Sequence, residues 1–256
     1  MSELDQLEAL IGAFLLPFIR IAATVMVAPL FGSRLITPRI RIALSLAIAA
    51  LLAPVFVAEG ASVPLRETPL LAVAQEILLG VTMGFLVQMI FDAVIVGSQT
   101  IATSMGLGFA TMVDPQRGVN VPVLSQFFLL LTTLMFLALD GHHALLEALA
   151  ASFRTLPPGA AVLTPDAAWQ VANWGSQMFA GALLIALPAV TALLIVNLGY
   201  GVISRAAPTL NLFAVGLPVS MLLGFVILQI AMDNVLAVLT RMLETTFGQF
   251  ANWFPL

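Results

Sequence analysis

The sequence lacks cysteine and lysine altogether, and only 9% of its residues are charged. Without cysteine, the chain can form neither disulfides nor thiolate metal sites. Without lysine, it has no G-x-x-x-x-G-K-S/T loop for nucleotide phosphates, and it also lacks the G-x-S-x-G and H-E-x-x-H motifs. We therefore predict a chain that is not an enzyme and holds no cofactor or metal. If it moves a substrate, the energy comes from elsewhere.

Hydrophobic residues take the place of the missing charges. They make up 61% of the 256 residues, and the mean hydropathy is +1.10. A soluble globular chain carries roughly 25% charged residues, so the composition predicts an integral membrane protein. No basic patch indicates nucleic acid. The N-terminus, MSELDQLEAL, is acidic, unlike a cleaved signal peptide, so we expect the first hydrophobic run to be retained.

Long apolar runs dominate the chain, at 9–31, 40–58, 70–104, 121–139, 167–200 and 212–232. A helical span needs about 20 such residues. We predict an all-α integral membrane protein of about six long hydrophobic helices arranged in hairpins. A weaker run at 234–250 carries charges and is interpreted as a separate amphipathic tail helix. Kinks are expected at the prolines in or next to the runs, namely Pro17, Pro29, Pro54, Pro188 and Pro218.

Arginine placement predicts the orientation of these helices. Arg34, Arg39 and Arg41 follow the first run, Arg117 follows the third and Arg205 follows the fifth. Short loops rich in arginine tend to stay in the cytoplasm. If these three turns are cytoplasmic, both termini face outward.

A polar stripe runs along the third apolar run. Glu76, Gly80, Gly84, Gln88 and Asp92 follow one another at i, i+4 spacing. Gly80 and Gly84 form a G-x-x-x-G pair, which lets another helix approach closely. The three polar residues cannot face lipid cheaply, so we predict that this face meets protein or water. Alternatively, the carboxylates lie near the span ends and reach outward.

Arg20 lies in the middle of the first run, in LLPFIRIAATVMVAPLF. An arginine at this depth is usually paired or lines a wet cavity. The expected partner is Glu76 or Asp92, so we predict a buried polar network of Arg20, Glu76, Gln88 and Asp92. The sequence leaves open whether the ion pair is structural or functional.

The only two histidines, His142 and His143, follow Asp140 in LDGHHALLEALAASFRTLPPG. Asp140 is expected to cap a short helix at 142–153. Adjacent histidines are expected to point in different directions on a helix, which argues against a metal site. The favoured interpretation is a capped interfacial helix, and a proton relay or pH sensor remains an alternative.

The stretch MGLGFATMVDPQRGVNVPVLS, from Met105 to Ser125, is too interrupted to be a helix yet rich in apolar residues. Glycines free its backbone, and two X-Pro steps forbid helix across its middle. Irregular backbone at membrane depth is tolerated only inside protein or along a cavity. Apolar side chains such as Phe109, Met112 and Val113 can close a pore. The residues leave two interpretations open, a pore plug and an ordinary surface hairpin.

Four stretches carry a resemblance to a known family. They are APLFGSRLITPRIRIALSLAIAALLAP (28–54), GLGFATMVDPQRG (106–118), DGHHALLEALAASFRTLPPG (140–159) and PTLNLFAVGLPVS (208–220). In this order, and with this length and span pattern, they resemble the FliR/SctT family of type III secretion export-gate subunits. That family contains flagellar biosynthetic proteins and their injectisome counterparts.

The resemblance implies a subunit that assembles with FliP and FliQ into an export gate for unfolded flagellar proteins. The gate belongs to the inner membrane, in the flagellar basal body, and FlhB and FlhA are further implied partners. Residues 1–165 would be FliP-like and 166–256 a FliQ-like helical hairpin with the tail helix. The family's assembled core sits largely above the usual membrane plane, so hydropathy alone does not define lipid-crossing spans.

The resemblance also implies roles for particular residues. It favours the plug interpretation for loop 106–121, with the first half filling the pore and 114–120 turning back. The plug residues would be Gly106, Leu107, Gly108, Phe109, Met112, Val113 and Asp114. A cytoplasmic turn next to FlhB would be formed by Arg205, Pro208, Asn211, Phe213, Gly216 and Pro218. Thr209 stands where the family pattern has glutamine, which puts any role of that amide in doubt.

Two other functions remain as alternatives. One is an injectisome gate that exports effectors. The other is a stand-alone secondary transporter in which Arg20, Glu76 and Asp92 form a coupling-ion site. No pair of interrupted repeat helices supports the transporter.

Overall fold

The structure is a computed structural model that describes residues 3–33, 35–58, 69–109, 111–114, 120–158, 165–206 and 212–253. Over these residues the chain is almost entirely helical, which confirms the all-α prediction. The helices are α1 (Glu3–Val27), α2 (Pro38–Ala58), α3 (Pro69–Ser104), α4 (Val123–Ala138), α5 (Gly141–Thr155), α6 (Pro165–Ala206) and α7 (Leu212–Trp253). A single 3₁₀ turn (Leu107–Phe109) and two short strands, β1 (Thr111–Val113) and β2 (Asn120–Pro122), lie between α3 and α4.

Three helices in the described residues are long and apolar enough to cross a membrane. They are Leu70–Ser104 of α3, Ala168–Ile203 of α6 and Gly216–Phe250 of α7. Helices α4 and α5, separated by a short break, would make a fourth if they acted as one span. The predicted number of about six spans is therefore not confirmed, although the transmembrane character is.

The predicted tail helix is wrong as a separate element. Helix α7 is continuous over 42 residues and includes both the last apolar run and the segment 234–250. Asp233 and Asn234, at the junction, cost only a few tenths of a kcal/mol each in a helix interior, up to about 0.7. No glycine or proline interrupts the helix there, so nothing in the local sequence ends it.

The prolines are accommodated without dividing the helices. Pro17 lies inside α1, Pro188 inside α6 and Pro218 inside α7. Pro54 falls within the range of α2, and Pro29 lies in the turn that follows α1. A proline removes one intrahelical hydrogen bond, and long helices on either side can tolerate that loss.

The chain divides into two compact units. The first contains residues 1–89, 136–174 and 244–256, and the second contains 90–135 and 175–243. This division by compactness cuts across the predicted FliP-like and FliQ-like parts, which rest on resemblance, so the predicted boundary at 165 and 166 stays a prediction.

In the first unit, α1 packs against α2, and the beginning of α3 and the whole of α5 complete the core. Its fully buried side chains include Leu16, Ile21 and Met83 together with two charged residues, Arg20 and Glu76. A charged pair in this position is unusual for a protein interior and marks the place where the candidate site lies.

In the second unit, α6 and α7 form an antiparallel pair. Asn234 Nδ2 of α7 donates to the carbonyl oxygen of Leu184 at 3.1 Å, and Ser220 Oγ donates to Asn197 Oδ1 at 3.4 Å. These partners run in opposite order along the two helices. The second part of α3 packs on α6 where Gly97 lies close to Ala182, so that an added Cβ would be 2.9 Å from the Ala182 carbonyl oxygen.

Candidate functional site

Arg20 and Glu76 form a bidentate ion pair between α1 and α3. Arg20 Nε donates to Glu76 Oε2 at 2.6 Å, and Nη2 donates to Oε1 at 3.0 Å. Both side chains are 0% exposed. The planar guanidinium matches the carboxylate fork in two parallel hydrogen bonds, the strongest geometry for such a pair.

The end of α5 supplies the other partners of Arg20. Nη1 donates to the carbonyl oxygen and to Oγ of Ser152, both at 3.1 Å, and Nη2 donates to the Leu156 carbonyl oxygen at 3.0 Å. The carbonyls at the end of a helix carry partial negative charge, so they suit a cation, even though the Ser152 carbonyl oxygen also accepts from the Leu156 N–H at 2.9 Å. The Phe153 ring adds a cation–π contact, 4.4 Å from its centroid to Cζ.

These contacts use all five N–H donors of the guanidinium. Removing two charges from solvent costs several kcal/mol per ion, and complete hydrogen bonding offsets that cost. The arrangement ties α1, α3 and α5 together at one point. Glu76 is one of the two predicted partners, and Arg20 has no donor left for the other, Asp92.

Sequence reasoning missed Ser152, Phe153 and Leu156. The available signal was the predicted end of the short helix, because helix ends expose carbonyls that attract a cation. Arg154, in the same last turn, is the nearer candidate by sequence, but it is exposed. Arg20 lies more than 130 positions away from Ser152 in the chain. Local sequence patterns do not reveal a contact between residues so far apart.

The predicted G-x-x-x-G pair lies where α3 crosses α1. A Cβ at Gly80 would overlap the Arg20 carbonyl oxygen and lie 2.7 Å from the Ala23 Cβ. A Cβ at Gly84 would be 2.8 Å from the Thr24 carbonyl oxygen. The absence of side chains at both positions allows the two backbones to approach closely enough for the Arg20–Glu76 pair.

Replacing Gly80 by alanine is expected to destabilise the detergent-solubilised chain by about 1–3 kcal/mol, because the new methyl group displaces the backbone that carries Arg20. Gly175→Ala is the matched control, since no atom beyond its chain neighbours and its own helix backbone lies within 4 Å of its added Cβ. There, alanine is expected to leave stability unchanged or raise it by up to about 1 kcal/mol. Unfolding by SDS titration measures both, and equal shifts would contradict the packing argument.

The remaining members of the predicted polar stripe lie farther along α3. Gln88 and Asp92 are both half-buried, and both take part in polar or other interactions. The structure brings Arg20 and Glu76 into contact, while Gln88 and Asp92 are not among the partners of the guanidinium.

The loop between α3 and α4 forms a small β-hairpin. Strands β1 and β2 are antiparallel, with Thr111 opposite Pro122 and Val113 opposite Asn120. Residues 115–119, between the two strands in the sequence, lie outside the described part of the structure, as do residue 110 and the side chains of Phe109, Met112 and Val113. Asp114, at the end of β1, is fully buried. The expectation that this segment is not a continuous helix agrees with the structure.

Gly106 makes the turn from α3 into this loop. Its φ of 81° lies in the left-handed region that favours glycine. An added Cβ would also lie 2.7 Å from Leu217 Cδ2 on α7. The turn is followed by Leu107 and Gly108, both half-buried in the 3₁₀ turn. The dihedral angle therefore accounts for glycine at position 106, while the exposed Leu217 side chain could move away from an added methyl group.

The histidine segment differs from the prediction in two respects. Asp140 adopts a left-handed conformation, with φ 54° and ψ 26°, and its side chain makes no capping hydrogen bond. A capping aspartate needs a β-region backbone to reach the first free N–H groups, so the predicted cap is wrong. Instead, Asp140 Oδ1 lies 3.2 Å from His143 Nδ1. The predicted helix itself is present as α5.

The two imidazole rings also do not diverge. Their centroids are 4.0 Å apart, and one ligand atom from each of Asp140, His142 and His143 lies within 4.8 Å of the others. Side chains in the first helical turn have no preceding turn to restrict their rotamers, so both rings can turn the same way. The geometric argument against their convergence is therefore wrong.

The predicted cytoplasmic turn is described only in part. Arg205 is exposed in the last turn of α6, where its charge complements the helix dipole. Gly216 is half-buried and Pro218 exposed, near the start of α7. Pro208, Thr209, Asn211 and the side chain of Phe213 lie outside the described residues, as do Arg34 and Arg117.

Comparison with known proteins gives consistent matches over most of the chain. Residues 11–246 match the family described as bacterial export proteins, family 1. The flagellar biosynthetic protein FliR of Pectobacterium carotovorum subsp. carotovorum is 38% identical over 85% of this chain and 83% of its own length. FliR of Escherichia coli (strain K12) is 31% identical over 97% and 95%. FliR of Bacillus subtilis (strain 168) is 30% identical over 96% of each chain.

Proposed function

The chain belongs to family 1 of the bacterial export proteins, and on that basis we propose that it is a non-enzymatic subunit of the flagellar type III protein export gate. In this proposal it assembles with FliP and FliQ in the inner membrane, at the flagellar basal body, and forms part of the pore for unfolded flagellar proteins. Relatives named for flagellar biosynthesis align over nearly the whole chain, which favours the flagellar over the injectisome gate.

The observation that carries the assembly is the exposure of α6 and α7. In each of these helices, only 33% of the apolar 18-residue stretch is buried by the chain itself, whereas 72% of the corresponding stretch of α3 is buried. Large apolar side chains on both helices stand free, including Phe179 at 63%, Ile195 at 66% and Ile230 at 77% exposure. Such a surface needs lipid or other subunits to cover it. The antiparallel pairing of α6 and α7 also supports the FliQ-like hairpin proposed for 166–256.

The buried ion pair weighs against a stand-alone transporter. A coupling-ion site needs groups that can exchange partners with an ion that enters and leaves. Arg20 instead has all five donors occupied, and its side chain and that of Glu76 are 0% exposed. We infer a structural role for this pair, which joins three helices of the gate subunit.

Loop 106–121 is the proposed pore plug. Its support is its position between the apolar helices α3 and α4, its apolar first half and its hairpin structure, which returns the chain over a short distance. In the proposal, Gly106 to Val113 closes the pore at rest, and the hairpin moves aside for a substrate. The turn after α6, with Arg205 exposed at its start, is the proposed contact with FlhB, and FlhA is a further proposed partner.

Purification from native membranes tests the assembly. A tagged chain solubilised in mild detergent is expected to co-purify with several copies each of FliP and FliQ, because in the proposed gate these subunits cover its exposed helix faces. Native mass spectrometry measures the composition of the complex. The control is the same tagged chain produced in cells that lack FliP and FliQ. A stable monomer or homo-oligomer from native membranes would contradict the gate and favour the transporter.

A further inference from the structure

An apolar groove lies on the second unit, where the start of α4 and the middle of α7 meet the beginning of the loop. It has a volume of about 910 Å³. Its apolar lining comes from Leu107 of the 3₁₀ turn, from Val123, Leu124 and Phe127 of α4, and from Phe225, Leu228 and Met232 of α7. Phe127 and Phe225 are about half exposed, at 51% and 49%, so the groove is open to a ligand of considerable length.

Two polar residues, Gln229 and Asp233, line the same groove. They are four residues apart on α7 and therefore share a face. Both are exposed, and within the part of the chain that the structure describes neither has a hydrogen-bond or ion-pair partner. The neighbouring Asn234, by contrast, is bound to the Leu184 carbonyl oxygen of α6.

Asp233 lies midway along the apolar segment Gly216–Phe250. Any stretch of about 20 residues taken from this segment as a span includes it. A carboxylate at the centre of a lipid-facing helix is costly to insert into a membrane. Lipid is therefore a poor cover for this groove, and a cationic partner is a good one.

Resting on the proposed function, we propose that this groove is the docking site for an apolar helix of another gate subunit, which carries one arginine or lysine that pairs with Asp233. The helix would fill the apolar lining, and Gln229 would accept or donate a second hydrogen bond. A second copy of this chain fits less well. The two arginines that lie away from the terminal turns of its helices, Arg20 and Arg241, already have partners.

The groove also touches both ends of the β-hairpin. Leu107 precedes β1, and Val123 directly follows β2. A helix docked in the groove would hold both ends of loop 106–121 in place. Subunit docking and the resting position of this loop would then be coupled through the same contacts.

Charge reversal at this position tests the proposal. Asp233→Lys is expected to lower co-purification of the other gate subunits by roughly tenfold or more, because like charges that face each other in a desolvated contact repel strongly. Asp233→Glu is expected to retain the complex. Glu244→Lys, an exposed acid-to-lysine change on the same helix outside the groove, is the matched control and should have no effect.

Two further measurements keep the result interpretable. Asp233→Leu removes the negative charge without adding a repulsive positive one, and it should also lower co-purification. It should leave the isolated chain stable, since Asp233 has no partner in the described part of the chain. A photo-crosslinker at Phe225 should join the chain to a helix of a different subunit. Suppressors of Asp233→Lys should replace one basic residue of that helix by an acidic one.

The outcomes separate the two proposals. If the wild-type chain fails to co-purify with FliP and FliQ, the proposed function is wrong. If it co-purifies but Asp233→Lys and Asp233→Leu assemble equally well, only the docking site is wrong. Crosslinks from Phe225 solely to lipid, or solely to a second copy of this chain, would also overturn the docking proposal.

Discussion

Arg20→Met is expected to destabilise the chain by about 3–5 kcal/mol, the cost of leaving one charge of a buried pair without its partner. Glu76 would remain in a fully buried site without its bidentate donor. The Ser152 and Leu156 carbonyl oxygens would lose a donor as well. Unfolding of the purified chain in mixed detergent and SDS measures the effect. Arg154→Met, an exposed arginine of the same helix end, is the control and should change stability by less than about 0.5 kcal/mol.

A double substitution distinguishes a structural pair from a functional one. Arg20→Met with Glu76→Met removes both charges and should recover much of the lost stability, because apolar replacements of buried pairs are often neutral. Recovery should be incomplete, since the Leu156 carbonyl oxygen loses the Arg20 donor, whereas the Ser152 carbonyl oxygen still accepts from the Leu156 N–H. If the double variant folds and still supports motility, the pair is structural. A stable double variant that abolishes export would instead support a coupling role for these charges.

The long helices were predictable because each is coded by a continuous apolar run, and hydropathy is a local property. The ends of these helices were less predictable. A separation between the last apolar run and a tail helix was predicted from the charge of Asp233. Helix α7 instead continues through this position, because a single aspartate is a weak helix breaker. The β-hairpin was missed as a hairpin of strands, since three-residue strands such as Thr111–Val113 leave no periodic signal.

The side-chain partner of Arg20 in the candidate site could be predicted from its chemistry, but the backbone partners could not. A buried arginine needs a carboxylate, so Glu76 or Asp92 was the expected partner of Arg20. The backbone carbonyls of Ser152 and Leu156 carry no side-chain identity, and therefore no residue type could indicate them. The groove around Asp233 was missed for a related reason. Its two sides, α4 and α7, are distant in sequence, and only the fold brings them together.

Removal of the plug is expected to have the largest effect on ion permeability. Deleting Gly106–Gly118 from the assembled gate should raise ion leak by roughly tenfold or more. A hydrophobic constriction excludes ions by a free-energy barrier, and a barrier lowered by only about 1.4 kcal/mol already gives tenfold. Gates reconstituted in liposomes with an ion-sensitive dye measure the leak, and secretion of flagellar proteins in cells measures export.

The comparison must separate loss of the plug from loss of the assembly. Asn120→Ala changes one exposed side chain in the second strand of the same hairpin, outside the half proposed to close the pore, and should leave both leak and export near wild type. Co-purification with FliP and FliQ shows whether the deletion variant still assembles. If it assembles, and both leak and export equal those of the wild type, loop 106–121 does not close the pore. A surface hairpin then remains the better interpretation of its sequence. An increase in leak only in the deletion variant would instead tie the apolar half of the loop to closure.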